Sequence, residues 1–341
     1  MRRYVTFVLL GLGVFAVAAG LLLRLYAYPR LAKVPHDIDT ESVAQGTGIT
    51  ALVYVPEGDR ARPEIRENLS LTSTRTVTGN LRAEEVTKDG DVTVWVETSM
   101  VTSDADDLVV TAGVRSLCLD RYTGEGVTPC ENQYYEDVSG QRVVADRGEA
   151  QQPGLSFKFP FDTQRRDYRW YDDNVKEAPE IRYVGEETVQ DLATYQFVQQ
   201  IPPTRIAERD VPGALVGEPG VPTVRADLYY QVTRTLFVEP VTGKVIAGGE
   251  DVRQELRTAG QGVGQGTVVF DGELKLNDKT VAANVAESKE NVSSLSLIAN
   301  LQPILWTTGG VLIAVSLLLM FTGRRGRHSR PGTPTRVAAP V

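Results

Sequence analysis

The sequence predicts a mainly β domain, of the β-rich α+β type, flanked by N- and C-terminal transmembrane helices. Two uncharged apolar runs, residues 5–23 and 304–321, lie near the ends of the 341-residue chain. Each has about the number of residues that a helix needs to cross the hydrocarbon core of a bilayer. Between the runs, apolar and polar residues alternate in several segments, which is typical of antiparallel strands with one wet face.

The C-terminal run sets the expected orientation of the chain. Trp306 lies near its start, where an amphipathic indole prefers the membrane interface. Lys and Arg are enriched on the cytoplasmic side of transmembrane helices. The arginines after the run therefore predict a cytoplasmic anchor and an exported central region. These anchor residues are Arg324, Arg325, Arg327 and Arg330.

The N-terminal run is predicted to be an uncleaved signal anchor. It follows Arg2 and Arg3, and it ends in leucines and Arg24 rather than in the small residues of a cleavage site. Arg24, Arg30 and Lys33 place positive charge on its outer flank, which argues against this orientation, and a cleaved signal peptide is the alternative. Because two membrane spans place both tails on the same side, the orientation of the chain is taken from the C-terminal helix, whose flanking charges are clearer.

These observations give one expected organisation of a two-pass plasma-membrane protein with both termini in the cytoplasm. The predicted segments are a cytoplasmic tail (1–4), a transmembrane helix (5–23), an exterior β-rich domain (30–280), a helical stalk (281–302), a second transmembrane helix (304–321), and a basic disordered tail (322–341). Pro303 is expected near the junction of stalk and span.

The charge distribution excludes a nucleic-acid partner. All 44 acidic residues lie between the two apolar runs, together with 29 of the 36 basic residues, so this region carries a net charge of −15. Such a surface repels the phosphate backbone of a nucleic acid and favours solubility.

Two cysteines, Cys118 and Cys130, are predicted to form a disulfide. Their spacing matches no metal-ligand pattern, and both histidines, His36 and His328, lie far from them in the sequence. An exported domain favours oxidation. Two buried thiols acting as small hydrophobes are the alternative.

Period-two alternation marks the predicted strands. In residues 92–100, the face carrying Val92, Val94 and Met100 is the apolar one, and the face carrying Trp95 and Glu97 is expected to be wet. In residues 268–276, apolar and charged side chains alternate in the same way. Similar patterns occur at 71–81, 195–201 and 228–238.

Acidic and glycine-rich segments predict the connections between strands. The form [DE]-x-x-[ST]-Gly occurs at 120–124, 136–140 and 239–243 and predicts three turns whose acidic residue caps backbone amides. A duplicated unit is the alternative explanation. Proline and glycine between 202 and 222 predict a long irregular loop or internal boundary.

No motif for catalysis or for a cofactor is found. The region between 37 and 327 contains no histidine, so a histidine-based triad is excluded there, and no P-loop or metalloprotease motif occurs. The glycines of 260–266 precede a strand and predict a hairpin loop. Asp104, Asp172 and their acidic neighbours are expected to be solvated turn carboxylates rather than calcium ligands. We therefore predict a non-enzymatic protein without cofactor or metal.

An aromatic-rich stretch, residues 155–172, is the first place to look for an apolar pocket. Its aromatic residues predict a core strand and packing cluster, with an apolar-ligand surface as the alternative. The candidate ligand residues are Phe157, Phe159, Phe161, Tyr168, Trp170 and Tyr171.

Several stretches together resemble a known family. They are FKFPFDTQRRDYRWYD at 157–172, CLDRYTGEGVTPC at 118–130, YQFVQQIPPT at 195–204 and TLFVEPVTGKVI at 235–246. With a membrane helix at each end, the chain resembles the porin PorA family of membrane proteins from high-GC Gram-positive bacteria. The resemblance spans nearly the whole chain and implies an envelope protein with an exterior domain, without assigning any site residue.

Two functions are consistent with this organisation. The first is an envelope protein whose exterior domain binds or passes a lipid or other apolar molecule, or contributes to a channel. The second is a non-enzymatic scaffold for envelope assembly. The expected partners are membrane lipid and, in addition, envelope proteins or further copies of the chain.

Overall fold

The computed structural model describes residues 2–58, 60–137, 142–144 and 151–324. The chain divides into a small unit, residues 1–31 and 294–341, and a large unit, residues 32–293. The large unit is mainly antiparallel β structure and the small unit contains the apolar helices, so the predicted fold class is confirmed.

The described part of the large unit contains fourteen strands. They are β1 (Asp39–Glu57), β2 (Arg60–Gly79), β3 (Val92–Ser103), β4 (Val109–Asp120), β5 (Glu125–Gly126), β6 (Tyr134–Asp137), β7 (Arg142–Val144), β8 (Gly154–Leu155), β9 (Tyr168–Arg169), β10 (Glu180–Val189), β11 (Leu192–Val211), β12 (Val224–Val238), β13 (Val245–Arg257) and β14 (Thr267–Leu276). Every ladder between them is antiparallel. The segments with predicted alternation lie mainly within β2, β3, β11, β12 and β14.

The strands form a single path of hydrogen-bonded neighbours. Its order is β7-β6-β4-β3-β2-β1-β14-β13-β12-β11-β10-β9. The path is mostly a series of hairpins, in which long strands such as β1 and β2 pair along nearly their whole length. The β4–β6 pair skips the short β5, and the β1–β14 pair joins the first and last strands of the chain and brings its two halves into one sheet.

The shortest strands connect the β9 end of the sheet back to β4. Strand β5 pairs with both β4 and β8, and Leu155 of β8 bridges to Trp170, which directly follows β9. The backbone N–H of Tyr171 also donates to the Leu155 carbonyl at 2.7 Å. Because β9 pairs with β10, these contacts close the ring of strands near one end of the sheet. Closure removes exposed edges over that part of the sheet.

The side chains of one sheet face form most of the core. One end of this face holds two clusters, around Trp95 and Leu117 and around Phe159 and Phe197. Further clusters surround Ile49, Tyr230 and Leu256. This face is called the inner face below.

The inner face of β3 differs from the sequence prediction. Trp95 is 3% exposed and Glu97 is 2% exposed, whereas Met100 on the opposite face is 44% exposed. The expectation that Glu97 lies on a wet face was therefore wrong. Val92 and Val94 are also covered, but from the outer side, where they pack against Ala83 and the two cysteines. A short helix, α3 (Glu84–Lys88), follows Ala83.

Pro202 and Pro203 lie inside β11, so the predicted irregular loop was wrong at this point. The pairing register with β12 shifts between Ile201 and Thr204. Proline has no N–H to donate to a ladder, and a bulge is where a strand accommodates it. The connection between β11 and β12 is instead 212–223, which contains a 3₁₀ turn, Gly213–Val216.

Two of the three predicted acidic turns have the expected geometry. Asp120 Oδ1 accepts the N–H groups of Tyr122 and Thr123, and Gly124 has φ +73°. Glu239 caps the second turn by accepting the N–H groups of Val241 and Thr242, each at 2.8 Å. The third turn extends beyond the described residues.

The small unit contains two helices that are long and apolar enough to cross a membrane. They are Tyr4–Ala27, with mean hydropathy 2.5, and Leu301–Phe321, with mean hydropathy 2.2. The first comprises most of α1 (Arg2–Leu22) and a π-helical turn (Leu23–Ala27), after which a short helix α2 (Tyr28–Leu31) follows. The second belongs to α4 (Asp278–Arg324), which contains Pro303 without a break.

Small residues form the contact between α1 and the C-terminal part of α4. A β-carbon added to Gly309 would lie 2.8 Å from the Gly13 carbonyl oxygen, and one added to Gly20 would lie 2.5 Å from the Trp306 ring. The helices are antiparallel, because later residues of α1 meet earlier residues of α4. Buried positions recur every seven residues on both helices, the spacing of left-handed pairs. The positions at this interval are Thr6, Gly13 and Gly20 on α1, and Gln302, Gly309 and Ser316 on the C-terminal part of α4, and Ala16 of α1 is buried as well.

We expect Gly309→Val to weaken this helix pair, since the added side chain would overlap the α1 backbone. Overpacking of this kind costs about 1–3 kcal/mol. The measurement is the thermal unfolding midpoint of the detergent-purified protein. Gly310→Val is the matched control, because a β-carbon at Gly310 meets no atom within 4 Å. Equal midpoints for the two variants would contradict the contact.

Candidate functional site: a charge belt on the inner face

Seven charged residues cross the inner face of the large unit and are called the charge belt. The sheet register aligns four of them, together with Gln199, in two rows. Glu97 of β3 lies opposite Arg115 of β4, and Arg234 of β12 lies opposite both Glu250 of β13 and Gln199 of β11. The members of the belt are Arg75, Glu97, Arg115, Asp172, Asp173, Arg234 and Glu250.

One half of the belt is closely hydrogen-bonded, and its Arg234 and Asp172 side chains are buried. The Arg234 guanidinium donates to Glu250 at 2.7 Å, to Asp172 at 2.9 Å and to the Gln199 side-chain oxygen. Asp172 has no exposed surface and also accepts from the Tyr230 hydroxyl at 3.0 Å. Its expected role as a solvated turn carboxylate was therefore wrong. Buried charges of this kind are stable only when paired and hydrogen-bonded.

This half also fixes the loop 170–179 onto the sheet. Asp172 Oδ1 accepts the backbone N–H groups of Asn174 and Val175. The Gln199 amide donates to the carbonyls of Trp170 and Pro179 at 2.8 and 3.2 Å. The position of the loop is therefore fixed by hydrogen bonds from Gln199 of β11 and Arg234 of β12.

The other half of the belt is less completely paired. Arg115 donates to Glu97 at 3.0 Å and lies over the Phe157 ring, 4.9 Å from its centroid. Arg75 approaches Glu97 at 3.5 Å. The Nε of Arg115 is buried without a hydrogen-bond partner, although the residue is only 7% exposed. Among the described residues, the Arg115 Nε–H of this half therefore remains free to donate a hydrogen bond.

Electrostatic coupling joins the two halves. Burial alone would raise the pKa of Glu97, but Arg115 and Arg75 hold it below the usual value, against a smaller opposing effect of Glu250. Burial likewise opposes the lowered pKa of Glu250, which results from Arg234 and Arg75. Strands β2, β1 and β14 separate Glu97 from Glu250, which would place them about 19 Å apart in a flat sheet. Because the contacts at Leu155 close the strands into a ring, the sheet is curved, and the belt lies with the core on its concave side.

Water reaches part of the belt. The side chains of Arg75 and Glu250 are 44% and 34% exposed, and Asp173 is exposed. The pKa of Asp173 is nevertheless raised, first because surrounding protein limits the hydration of its charge, although Arg115 opposes this. A group that is accessible and yet poorly hydrated lies in a recess. The open half of the belt is therefore a charged cleft.

The structure distributes the six candidate ligand residues over several places. Phe159, Tyr168 and Trp170 pack in the core, where the Phe159 ring lies 4.4 Å from that of Phe197. Phe157 packs against Trp95 in the neighbouring cluster. These packed rings leave little surface for a ligand, and an apolar-ligand role of this stretch stays a prediction.

The remaining two aromatic residues contact polar groups. The Tyr171 hydroxyl hydrogen-bonds to that of Tyr135, and burial raises the pKa of Tyr171 to about 12. The Lys158 amine lies over the Phe161 ring, with Nζ 3.7 Å from the ring centroid. That amine is buried without a hydrogen-bond partner, and burial lowers the pKa of Lys158 to about 7.

The two cysteines form the expected disulfide, with their Cα atoms 6.4 Å apart. The bridge packs against Ala83 and Val94 on the outer side of β3 and β4. Glu85 lies beside it and accepts from the Asn132 backbone. Since both sulfurs are bonded to each other, they are not available as thiolate ligands.

Most of the predicted cytoplasmic anchor lies outside the described residues. Arg324 is the last described residue and ends α4, whereas Arg325, Arg327 and Arg330 lie beyond it.

Sequence reasoning missed the belt because its members are dispersed over five strands and one loop. The available signal was a charged residue inside each of several apolar strands, such as Glu97 between Val96 and Thr98 or Arg234 between Thr233 and Thr235. A charge at such a position indicates either a wet face or a buried pair, and only the pairing distinguishes the two.

Two apolar helices and a β unit with a charged inner face define a membrane-associated β protein. The chain matches the Porin PorA family over residues 5–318 and belongs to it. It is similar to Porin PorA of Corynebacterium resistens, with 24% identity covering 96% of this chain and 99% of the relative. It is also similar to Porin PorA of Corynebacterium amycolatum, with 23% identity covering 74% of this chain and 78% of the relative. The family name points to a channel rather than an enzyme.

We expect Arg234→Leu to destabilise the large unit strongly. The substitution leaves the buried Asp172 charge, and the partly exposed Glu250, without their partner, and breaking a buried pair in this way costs about 3–5 kcal/mol. The measurement is the urea midpoint followed by near-UV circular dichroism. Arg205→Leu is the control, because its pairs with Asp227 and Glu208 are exposed and are worth about 0–1 kcal/mol. Similar losses in both variants would show that the belt does not hold the loop.

We expect Asp173→Asn to change how stability depends on pH. Because the folded-state pKa of Asp173 lies above the ordinary 3.8, the folded chain holds this proton more tightly than the unfolded chain. The resulting stabilisation is present at low pH and is lost as the pH rises through the raised pKa. The variant should therefore gain stability relative to the wild type as the pH rises above the ordinary pKa of 3.8, as measured by thermal unfolding. Asp251→Asn removes an exposed charge outside the belt and should not reproduce the gain.

Proposed function

We propose that the protein is a non-enzymatic channel component of the cell envelope that passes polar solutes. The charge belt is the observation that carries this proposal. A path for a hydrophilic solute needs charged or polar groups that face water inside the protein, as in other pores. The belt supplies such groups on the concave side of the sheet.

The same observation favours a polar solute over a lipid or other apolar molecule. A lipid site requires an accessible surface lined mainly by apolar side chains. In the described part of the large unit, the inner-face aromatics Phe159 and Phe197 pack on each other, whereas the accessible groups of the belt are Arg75, Asp173 and Glu250. Burying a lipid chain against those charges would be costly.

In this proposal the two apolar helices anchor the protein as a two-pass hairpin in the plasma membrane. The antiparallel contact between Gly13 and Gly309 supports a hairpin, and the basic C-terminal tail supports cytoplasmic termini. The large unit then lies outside the cytoplasm, where its disulfide is stable. A porin by name would lie in an outer membrane, so fractionation of the envelope, combined with protease added to intact cells, tests this placement.

Planar-bilayer recording tests the channel function directly. The purified full-length protein should produce conductance steps, and Glu250→Gln should shift permeability from cations toward anions because it removes one negative charge from the accessible belt. Glu273→Gln is the matched control, since Glu273 lies on the outer face of β14 and pairs with Lys275. Absence of conductance from folded protein, or equal selectivity of both variants and wild type, would contradict the proposal. In that case, an envelope partner recovered with the protein would favour the scaffold role.

A further inference from the structure

The open half of the belt combines free donors with free acceptors. Among the residues that the structure describes, Arg115 Nε is buried without a hydrogen-bond partner, and the ion-pair contact of Arg75 is the 3.5 Å approach to Glu97. On the acceptor side, Asp173 accepts a single 3.5 Å contact from Asn174 among the described hydrogen bonds. Opposite charges therefore lie in one cleft without satisfying each other.

The paired half of the belt shows that this is not a general property of the sheet. Arg234 donates to three acceptors, and Asp172 accepts from Arg234, Tyr230 and two backbone amides. The same fold thus satisfies one arginine and one aspartate completely. It leaves the hydrogen-bonding capacity of Arg75 and Asp173 available at the water-accessible end, and that of the buried Arg115 Nε beside Glu97, which Arg75 also approaches.

Charge balance restricts the ligand that would fill this capacity. A simple anion would accept from the arginines but would meet Asp173 and Glu250, and a simple cation would leave the buried Arg115 donor unfilled. Like charges at short range are repulsive in a poorly hydrated site. A solute carrying both a carboxylate and an amine satisfies both sides.

We propose that the open half of the belt is a binding subsite for small zwitterions of the amino-acid class, with Arg75 and Arg115 holding the carboxylate and Asp173 holding the amine. This inference rests on the proposed passage of polar solutes and names the class of solute. Charge-assisted hydrogen bonds to both ends of the ligand provide the affinity. Burial raises the pKa of Asp173 even though Arg115 and Arg75 act to lower it, so the two arginines do not fully stabilise its charge when the site is empty.

Equilibrium dialysis of the full-length protein in detergent tests the subsite with three probes. Glycine carries both groups, acetate only the carboxylate, and methylammonium only the amine. We expect glycine to bind about tenfold or more tightly than either single-charge probe. Equal binding of acetate would make this an anion site, equal binding of methylammonium would make it a cation site, and either result overturns the proposal.

Two belt variants locate the binding. Arg75→Gln and Asp173→Asn should each weaken glycine binding about tenfold, because each removes the partner of one charged group. Arg205→Gln and Asp251→Asn are the matched controls on exposed positions. Unchanged glycine binding in folded Arg75→Gln would overturn the assignment, and Arg75→Lys, which keeps the charge, should retain part of the affinity if the assignment is right.

The two proposals fail separately in these experiments. Glycine binding without conductance would leave the subsite standing and remove the channel function. Conductance without glycine binding at the belt would leave the channel function standing and remove the subsite.

Discussion

The structure of the large unit depends on the burial of the Arg234 guanidinium. An arginine on the concave side of a sheet is stable only if acceptors surround it, since it keeps its charge at any physiological pH. Glu250 comes from the adjacent strand and Gln199 from the strand on the other side, whereas Asp172 comes from a loop. The requirement to pair one charge therefore connects two strands to the loop that follows the closing strand β9.

The same pairing determines where the ring of strands closes. Trp170 and Tyr171 contact Leu155 through backbone groups, and Gln199 holds the Trp170 carbonyl from the inner face. Loss of the Arg234–Asp172 pair would leave this segment attached only by its short bridge and its aromatic contacts. The charge belt and the aromatic cluster are thus connected. The belt holds the loop 170–179 on the sheet, and this loop begins at Trp170, which packs in the aromatic cluster.

Much of the fold could be predicted from the sequence, because alternation and apolar length are local signals. The apolar helices, the strands around residues 92–100 and 268–276, and the capped turn at Asp120 all result from residues that are close in sequence. The site could not be predicted in this way. The sequence pattern around Glu97 is the same whether its face of β3 is exposed to water or faces the core. Glu97 faces inward because Arg115 lies opposite it on β4 and because β1–β14 pairing joins the strands into one curved sheet. The loop predicted at Pro202 and Pro203 was wrong for a related reason. A bulge accommodates the two prolines inside a long strand, and the sequence around them does not show the bulge.

The two halves of the belt differ in a way that stability alone does not explain. Replacing a buried ion pair by well-packed apolar residues is often neutral or stabilising, so charges inside a fold contribute little to its stability for their number. The Arg234 half can still be assigned a structural role, because it positions a loop. The Arg75 and Arg115 half positions no comparable segment among the described residues, and it leaves a buried Nε without a partner at a cost of about 1–3 kcal/mol. A sequence selected only for folding would lose nothing by filling this space with leucine. The presence of an incompletely satisfied, partly water-accessible group of charges therefore supports the proposal that the cleft interacts with solute.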